Sequence, residues 1–278
     1  MTDRKHSAQR NTGRKRPGGT PRARSTGRRS GRSGRKRRAG LWITLTALTL
    51  SAVLCGGMAY LYYLYEYDPE GWGELVSMTH YNGIDVSRHN GLINWQRVAA
   101  DEKVEYVYVK ATEGANFRDL LYRRNITRAR EEGLPAGSYH YFSMTSTPRE
   151  QFDNMRRTIR PEEQDLPLMI DVEDLDRHDP AQVRAAVLEL ARLAEGYYGH
   201  KPLIYANIHD YKRFLAPDLD NYPLFLAHYS LVAQCPRSNP YTLWQYSDRG
   251  RVNGITGFVD LSRLHKGLQT RDMLLKKR

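Results

Sequence analysis

Cysteine is nearly absent from this chain: 278 residues hold two, Cys55 and Cys235. Only Cys235 lies in the C-terminal body, so no disulfide can form within it, and that body must be held by an apolar core. Acidic residues are missing from the start of the chain. Within the first forty residues Asp3 stands alone against fifteen Lys or Arg, a net of +14, so of the whole-chain +12 the remaining residues carry −2. Apolar side chains are equally scarce there, with only Met1, Ala8, Ala23 and Ala39. A stretch with so little to bury is expected to be disordered. The chain is thus a basic tail on a nearly neutral body, and nucleic acid is not an expected partner.

Charge of either sign is then absent from Leu41 to Tyr65, a run of twenty-five residues. A hydrocarbon core needs about 20 residues of helix, so the run predicts one transmembrane span. Trp42 at one end and Tyr60, Tyr62, Tyr63 and Tyr65 at the other suit the two interfaces. Both the basic lead and the apolar run are longer than a cleaved signal peptide usually shows. Leu54 ahead of Cys55 also argues against a lipoprotein signal. The Lys and Arg excess places the N-terminus in the cytoplasm and the rest outside, as a single-pass protein of the cell (inner) membrane. The expected divisions are a disordered tail over 1–40, a span over 41–65, a Gly-containing acidic linker over 66–79 and a folded body over 80–278.

In the body, eight short apolar segments rich in β-branched or aromatic residues read as strands: Asn82–Ser87, Glu105–Thr112, Ala136–Phe142, Pro167–Val172, Pro202–Asn207, Pro223–Tyr229, Thr242–Tyr246 and Gly257–Leu261. Helical patterns separate the first six. They are Trp95–Ala100, Asp119–Glu132, a stretch opened by the capping box Thr147-Pro148-Arg149-Glu150, a stretch opened by Asp179-Pro180, and His209–Leu215. After Tyr229 the connections hold Pro and Gly and no helical period. Alternating β and α units imply a mostly parallel sheet, and eight strands close a barrel. The fold class is α/β, an irregular TIM-like barrel of eight strands and about five helices preceded by one transmembrane helix.

Such barrels assemble their sites at the C-terminal strand ends. Polar residues collect there: Asp85, Lys110, Glu113, His140, Tyr141, Asp171, Glu173, Tyr205, Asn207, His228, Gln245, Tyr246 and Asp260. In Ile170-Asp171-Val172-Glu173 the strand period of two puts both carboxylates on one face, Cα atoms roughly 6.5–7 Å apart. Crowding raises at least one pKa, which keeps a carboxylic acid protonated near neutral pH and able to donate to a leaving oxygen. Carboxylate pairs also hold metals, but no Cys or His cluster with zinc spacing accompanies this one. Tyr141, Tyr205, Trp244 and Tyr246 are candidate rings for packing against sugar faces.

Eight ordered segments carry a resemblance. Gly83–Ser87, Val109–Gly114, Gly137–Tyr141, Ile170–Glu173, Leu203–Tyr205, Leu226–Tyr229, Leu243–Ser247 and Val259–Leu261 resemble the lysozymes of glycoside hydrolase family 25, over about His80 to Lys266. The resemblance implies an N-acetylmuramidase that hydrolyses the β-1,4 bond between N-acetylmuramic acid and N-acetylglucosamine in peptidoglycan, without a cofactor or metal. It implies Glu173 as general acid, Asp171 as its partner, and Asp85 and Asp260 as supporting carboxylates, with Tyr141, Tyr205, Trp244, Tyr246, Lys110 and His228 as substrate contacts. Departures are Ser262 where Asn is common, Asn90 where Gln is common and Phe225 where Trp is frequent. The rival readings are an inactive wall-binding module of the same fold and a hydrolase of another N-acetylated polysaccharide.

Overall fold

The computed structural model describes residues 32–67, 81–229 and 238–276. The expectations for residues 1–31, for 68–79 of the linker and for Cys235 lie outside the described residues. The chain divides near residue 60 into two compact units, which are taken separately.

The described part of the N-terminal unit is helical, within α1, Arg32–Tyr67, which runs on past the boundary. It overruns the apolar run at both ends and takes in residues 32–40, which composition alone assigns to a disordered tail. Arg and Lys are good helix formers, so a helix nucleated on the apolar turns extends into its flanks at little cost. Within it Trp42–Leu61, 20 residues of mean hydropathy 1.6, is long and apolar enough to cross a membrane and buries nothing in the protein. Thr46 and Thr49 return their hydroxyls to backbone oxygens of the preceding turn, which removes two polar groups from the helix surface.

The second unit is a closed barrel. Strands β1 (Gly83–Val86), β2 (Tyr106–Glu113), β4 (Ala136–Tyr141), β5 (Met169–Asp171), β6 (Leu203–Asn207), β7 (Leu224–Ala227) and β8 (Tyr241–Gly250) pair in parallel in that order. β9 (Val259–Leu264) closes the ring antiparallel between β8 and β1. Eight residues separate β8 from β9, too few for the dozen or more that a parallel crossover requires, so the chain folds back as a hairpin. β3, Phe117–Arg118, is a two-residue strand on the end of β2 that is too short to announce itself by alternation.

All five expected helical stretches form: α2 (Trp95–Ala99), α3 (Tyr122–Glu131), α4 (Pro148–Thr158), α5 (Pro180–Tyr198) and α6 (Ile208–Asp210, continued by a wider turn over Tyr211–Leu215). The capping box forms as its sequence demands, with Thr147 Oγ1 accepting from Glu150 N and Glu150 Oε2 from Thr147 N. A further turn, Thr270–Met273, follows β9.

Alternation along each strand sorts the core into two. Outward residues such as Val107, Val109, Ile170, Ile204 and Leu226 pack against the helices. Inward residues form a second cluster that includes Tyr106, Tyr108, Met169, Leu203, Phe225 and Leu243. The inward rings need space: a Cβ on Gly83 would fall within the Tyr106 ring, and one on Gly137 would meet Tyr108. Phe225 lies 6.1 Å from Tyr108 and 5.3 Å from Tyr205, so it fills the barrel beneath the upper face. Ser262 accepts or donates a 3.0 Å hydrogen bond with the buried Tyr106 hydroxyl. Replacing Ser262 by Ala should cost about 2 kcal/mol in chemical denaturation, because it leaves that hydroxyl buried and unpaired; a change under about 0.5 kcal/mol would mean the hydroxyl finds another partner.

Candidate active site

Each strand's inward row passes from apolar to polar as it rises toward its C-terminal end. On β2 the row is Tyr106, Tyr108, Lys110, and on β5 it runs Met169, Asp171 and then Glu173 just beyond the strand; β8 gives Leu243, Gln245. The polar ends enclose one recess lined by Asp85, Lys110, Tyr141, Asp171, Glu173, Tyr205 and Asp260, together with Ser87, His89, Tyr139, Met169, Tyr229 and Gln245. All four sequence-predicted carboxylates therefore converge, as do Tyr141, Tyr205 and Lys110.

Three predicted contacts do not join them. Trp244 is fully buried and Tyr246 nearly so, both on the outward face of β8, where Arg263 lies 4.5 and 4.8 Å from their ring centres. Trp244 is anchored there by its indole N–H, which donates to His228 O at 2.8 Å. The His228 side chain is not part of the recess lining either. Period two is the reason: with Leu243 and Gln245 inward, Trp244 and Tyr246 must face out, and Tyr229 takes the place in the recess given to His228. His140 likewise faces the outer layer, between Thr112 Oγ1 at 2.8 Å and Gln151 Oε1 at 3.1 Å, and burial lowers its pKa to about 4.

Gln245 and Tyr229 were not singled out as contacts from sequence, yet they tie the site together. The Gln245 Oε1 accepts from the Tyr205 and Tyr229 hydroxyls, each at 2.8 Å, which turns its Nε2 toward Asp85 Oδ2 at 3.0 Å. Asp85 and Asp260 are direct cross-strand partners on β1 and β9. Burial, then the Asp260 charge, pushes the Asp85 pKa well up, whereas the hydrogen bond from Asp85 restrains Asp260, which burial raises to about 6. The two carboxyls titrate as a coupled pair, both above the usual carboxylate range.

On the facing wall, burial and then the Glu173 charge push Asp171 well above the usual carboxylate range, with Lys110 opposing. Its Oδ1 is buried with no hydrogen-bond partner among the described residues. Glu173 is only partly buried and points into the open mouth; burial and the Asp174 charge raise its pKa, and the neighbouring Tyr205 hydroxyl works against them. Asp174 has φ of 57°, a left-handed backbone rare outside glycine, and the Tyr141 hydroxyl holds it at 2.6 Å. Lys110 lies 4.6 Å from the Tyr141 ring centre and is paired with Glu113 at 2.9 Å.

These shifts give stability a sign. A carboxyl whose folded pKa is raised contributes stability that is complete below its unfolded pKa and lost as pH rises through the folded one. Asp260 loses its share between about 4 and 6, and Asp85 and Asp171, also pushed well up by burial, lose theirs as pH rises through their own folded values. The buried His140 acts oppositely, but only as pH falls from about 6.5 toward 4. Above pH 6.5 only the carboxyl effect remains among these groups, so the melting temperature should fall from pH 6.5 to 8 in calorimetry. A flat or rising profile would contradict the crowding of these carboxyls.

One place among the described residues gathers three metal-type ligands: Asp176, His209 and Asp210, whose ligand atoms lie within 4.8 Å of one another on the loops after β5 and β6. Asp176 is already paired with Arg213 at 3.2 Å. The long separation of Asp176 from the other two hides this grouping from a sequence reading.

The protein named uncharacterized protein YegX of Escherichia coli K12 is 35% identical over 185 residues, covering 65% of this chain and 68% of that protein. The autolytic lysozyme of Clostridium acetobutylicum is 32% identical over 189 residues, 67% of this chain and 56% of that one. The crystal structure of a bacterial lysozyme from Streptomyces coelicolor aligns with a TM-score of 0.64 at 26% identity, over 71% of this chain and 96% of that one. Residues 84–255, from β1 through the start of the β8–β9 turn and so including Asp85, Asp171 and Glu173, match the glycosyl hydrolases family 25, and it is to this family of glycoside hydrolases that the chain belongs.

Proposed function

We propose that the chain is a lysozyme-type peptidoglycan hydrolase, an N-acetylmuramidase, that cuts the β-1,4 bond between N-acetylmuramic acid and N-acetylglucosamine. The observation that carries the reading is the division of labour between adjacent carboxyls on one wall. Glu173 sits at the open mouth with a raised pKa, suited to hold a proton and give it to the glycosidic oxygen. Asp171 lies deeper with an unpartnered oxygen, suited to face positive charge that develops at the sugar's anomeric carbon. The Asp85–Asp260 pair and Gln245 fix Tyr205 and Tyr229 around the substrate.

The deciding experiment incubates the full chain in detergent with purified peptidoglycan and identifies the new reducing ends by mass spectrometry. N-acetylmuramic acid ends are expected. N-acetylglucosamine ends would mean the other glycosidic bond is cut, and no new ends would favour the wall-binding module.

The apolar part of α1 serves in this reading as a membrane anchor with the barrel outside, because the basic N-terminal flank stays on the cytoplasmic side. Protease added to intact spheroplasts should digest the barrel domain. A protected barrel beside a digested N-terminal tail would reverse the topology.

A further inference from the structure

The rim of the recess is electrically two-sided. After β5 it carries Asp174, with Asp210 buried behind it, and both help raise the Glu173 pKa, while Asp176 there is paired with Arg213. The rim formed by the turn after β1, by β3 and by the β8–β9 hairpin is cationic. There the Arg88 guanidinium lies 4.8 Å from the Phe117 ring centre. Across the gap Arg251 and Arg249 lie 4.5 and 5.7 Å from the ring centre of Phe258, which is half exposed. Asn90 joins the two arms by donating from Nδ2 to Phe258 O at 3.1 Å.

None of these three arginines forms an ion pair with a carboxylate among the described residues, and Asp248 is the only acid on the hairpin before Asp260. A guanidinium laid on a ring is held flat while its edge N–H groups stay free to bind a carboxylate in two-point fashion. A neutral sugar backbone has no use for such groups. Peptidoglycan supplies a matching one, since its muramic acid residues carry short peptides with free carboxylates.

Resting on the peptidoglycan reading above, we propose that Arg88, Arg249 and Arg251 form a subsite for the carboxylates of the glycan's peptide stem. Asp174 and the carboxyls of the recess disfavour the same carboxylates, so the stem leaves the groove on the arginine side. The enzyme then favours peptide-bearing strands over bare ones.

The test compares kcat/KM of the full chain on peptide-bearing glycan strands, on the same strands stripped by an amidase, whose remaining carboxylates are the lactyl groups on the sugar itself, and on strands whose stem carboxylates are amidated. Wild type should prefer the first substrate, and the preference should shrink with added salt. Each exposed pair is worth about threefold, so Arg249→Gln with Arg251→Gln should lose about tenfold on peptide-bearing strands and less than about twofold on the other two. Equal loss on all three, or no loss on any, overturns the subsite. So does a loss seen only on walls that carry phosphate polymers. Wild type failing to cut any strand would instead remove the hydrolase reading.

Discussion

Glu173→Gln should lower activity on peptidoglycan by about 100-fold or more, the cost of a missing positioned general acid. The substitution keeps the shape of a side chain that is only partly buried. Folding and substrate binding should therefore survive, and the loss should appear in kcat. Glu173 acts by giving up a proton, so the high-pH limb of the wild-type profile should vanish in the variant. An aryl glycoside offers an independent check. Its leaving group departs without a proton, and the variant should recover most of its deficit there. A variant at near wild-type rate on peptidoglycan would remove the proton-donor assignment, and equal losses on both substrates would mean a damaged site.

The barrel was legible because its strands are short, apolar and separated by helical periods, and because strand period alone places Asp171 beside Glu173. What escaped was parity at the ends of β7 and β8. Trp244 and Tyr246 look like sugar platforms by residue type, yet Gln245 between them is the inward residue, and alternation admits only one set. The antiparallel β9 followed from the shortness of its connection. The grouping of Asp176 with His209 and Asp210, and of Arg88 with the β8–β9 hairpin, had no local signal, since only strand pairing, β5 with β6 and β1 with β9, brings those segments together. Helix α1 overran the apolar run because composition reports burial, whereas helix length also follows propensity.

Asp171→Asn should fail differently from Glu173→Gln, with activity and stability moving in opposite directions. Asp171 is buried, its Oδ1 has no partner, and its charge is opposed by those of Glu173 and Asp85. Such a group is costly in the resting protein and useful only when positive charge appears beside it. Removing the charge should cut kcat by about 100-fold or more, the range seen when one preorganised electrostatic contact to a transition state is lost. It should also relieve the crowding that raises its neighbours, so the melting temperature at pH 8 should rise and the fall from pH 6.5 to 8 should flatten. Asp171 can stabilise the transition state as a nucleophile or by orienting the substrate's own acetamido group, and both routes retain the anomeric configuration. An NMR time course on a defined oligosaccharide should show a retained first product, and an inverted one would exclude both routes. A less stable Asp171→Asn variant would mean the carboxylate is held by favourable contacts, and a fully active one would leave the anomeric carbon without its anionic partner on this wall.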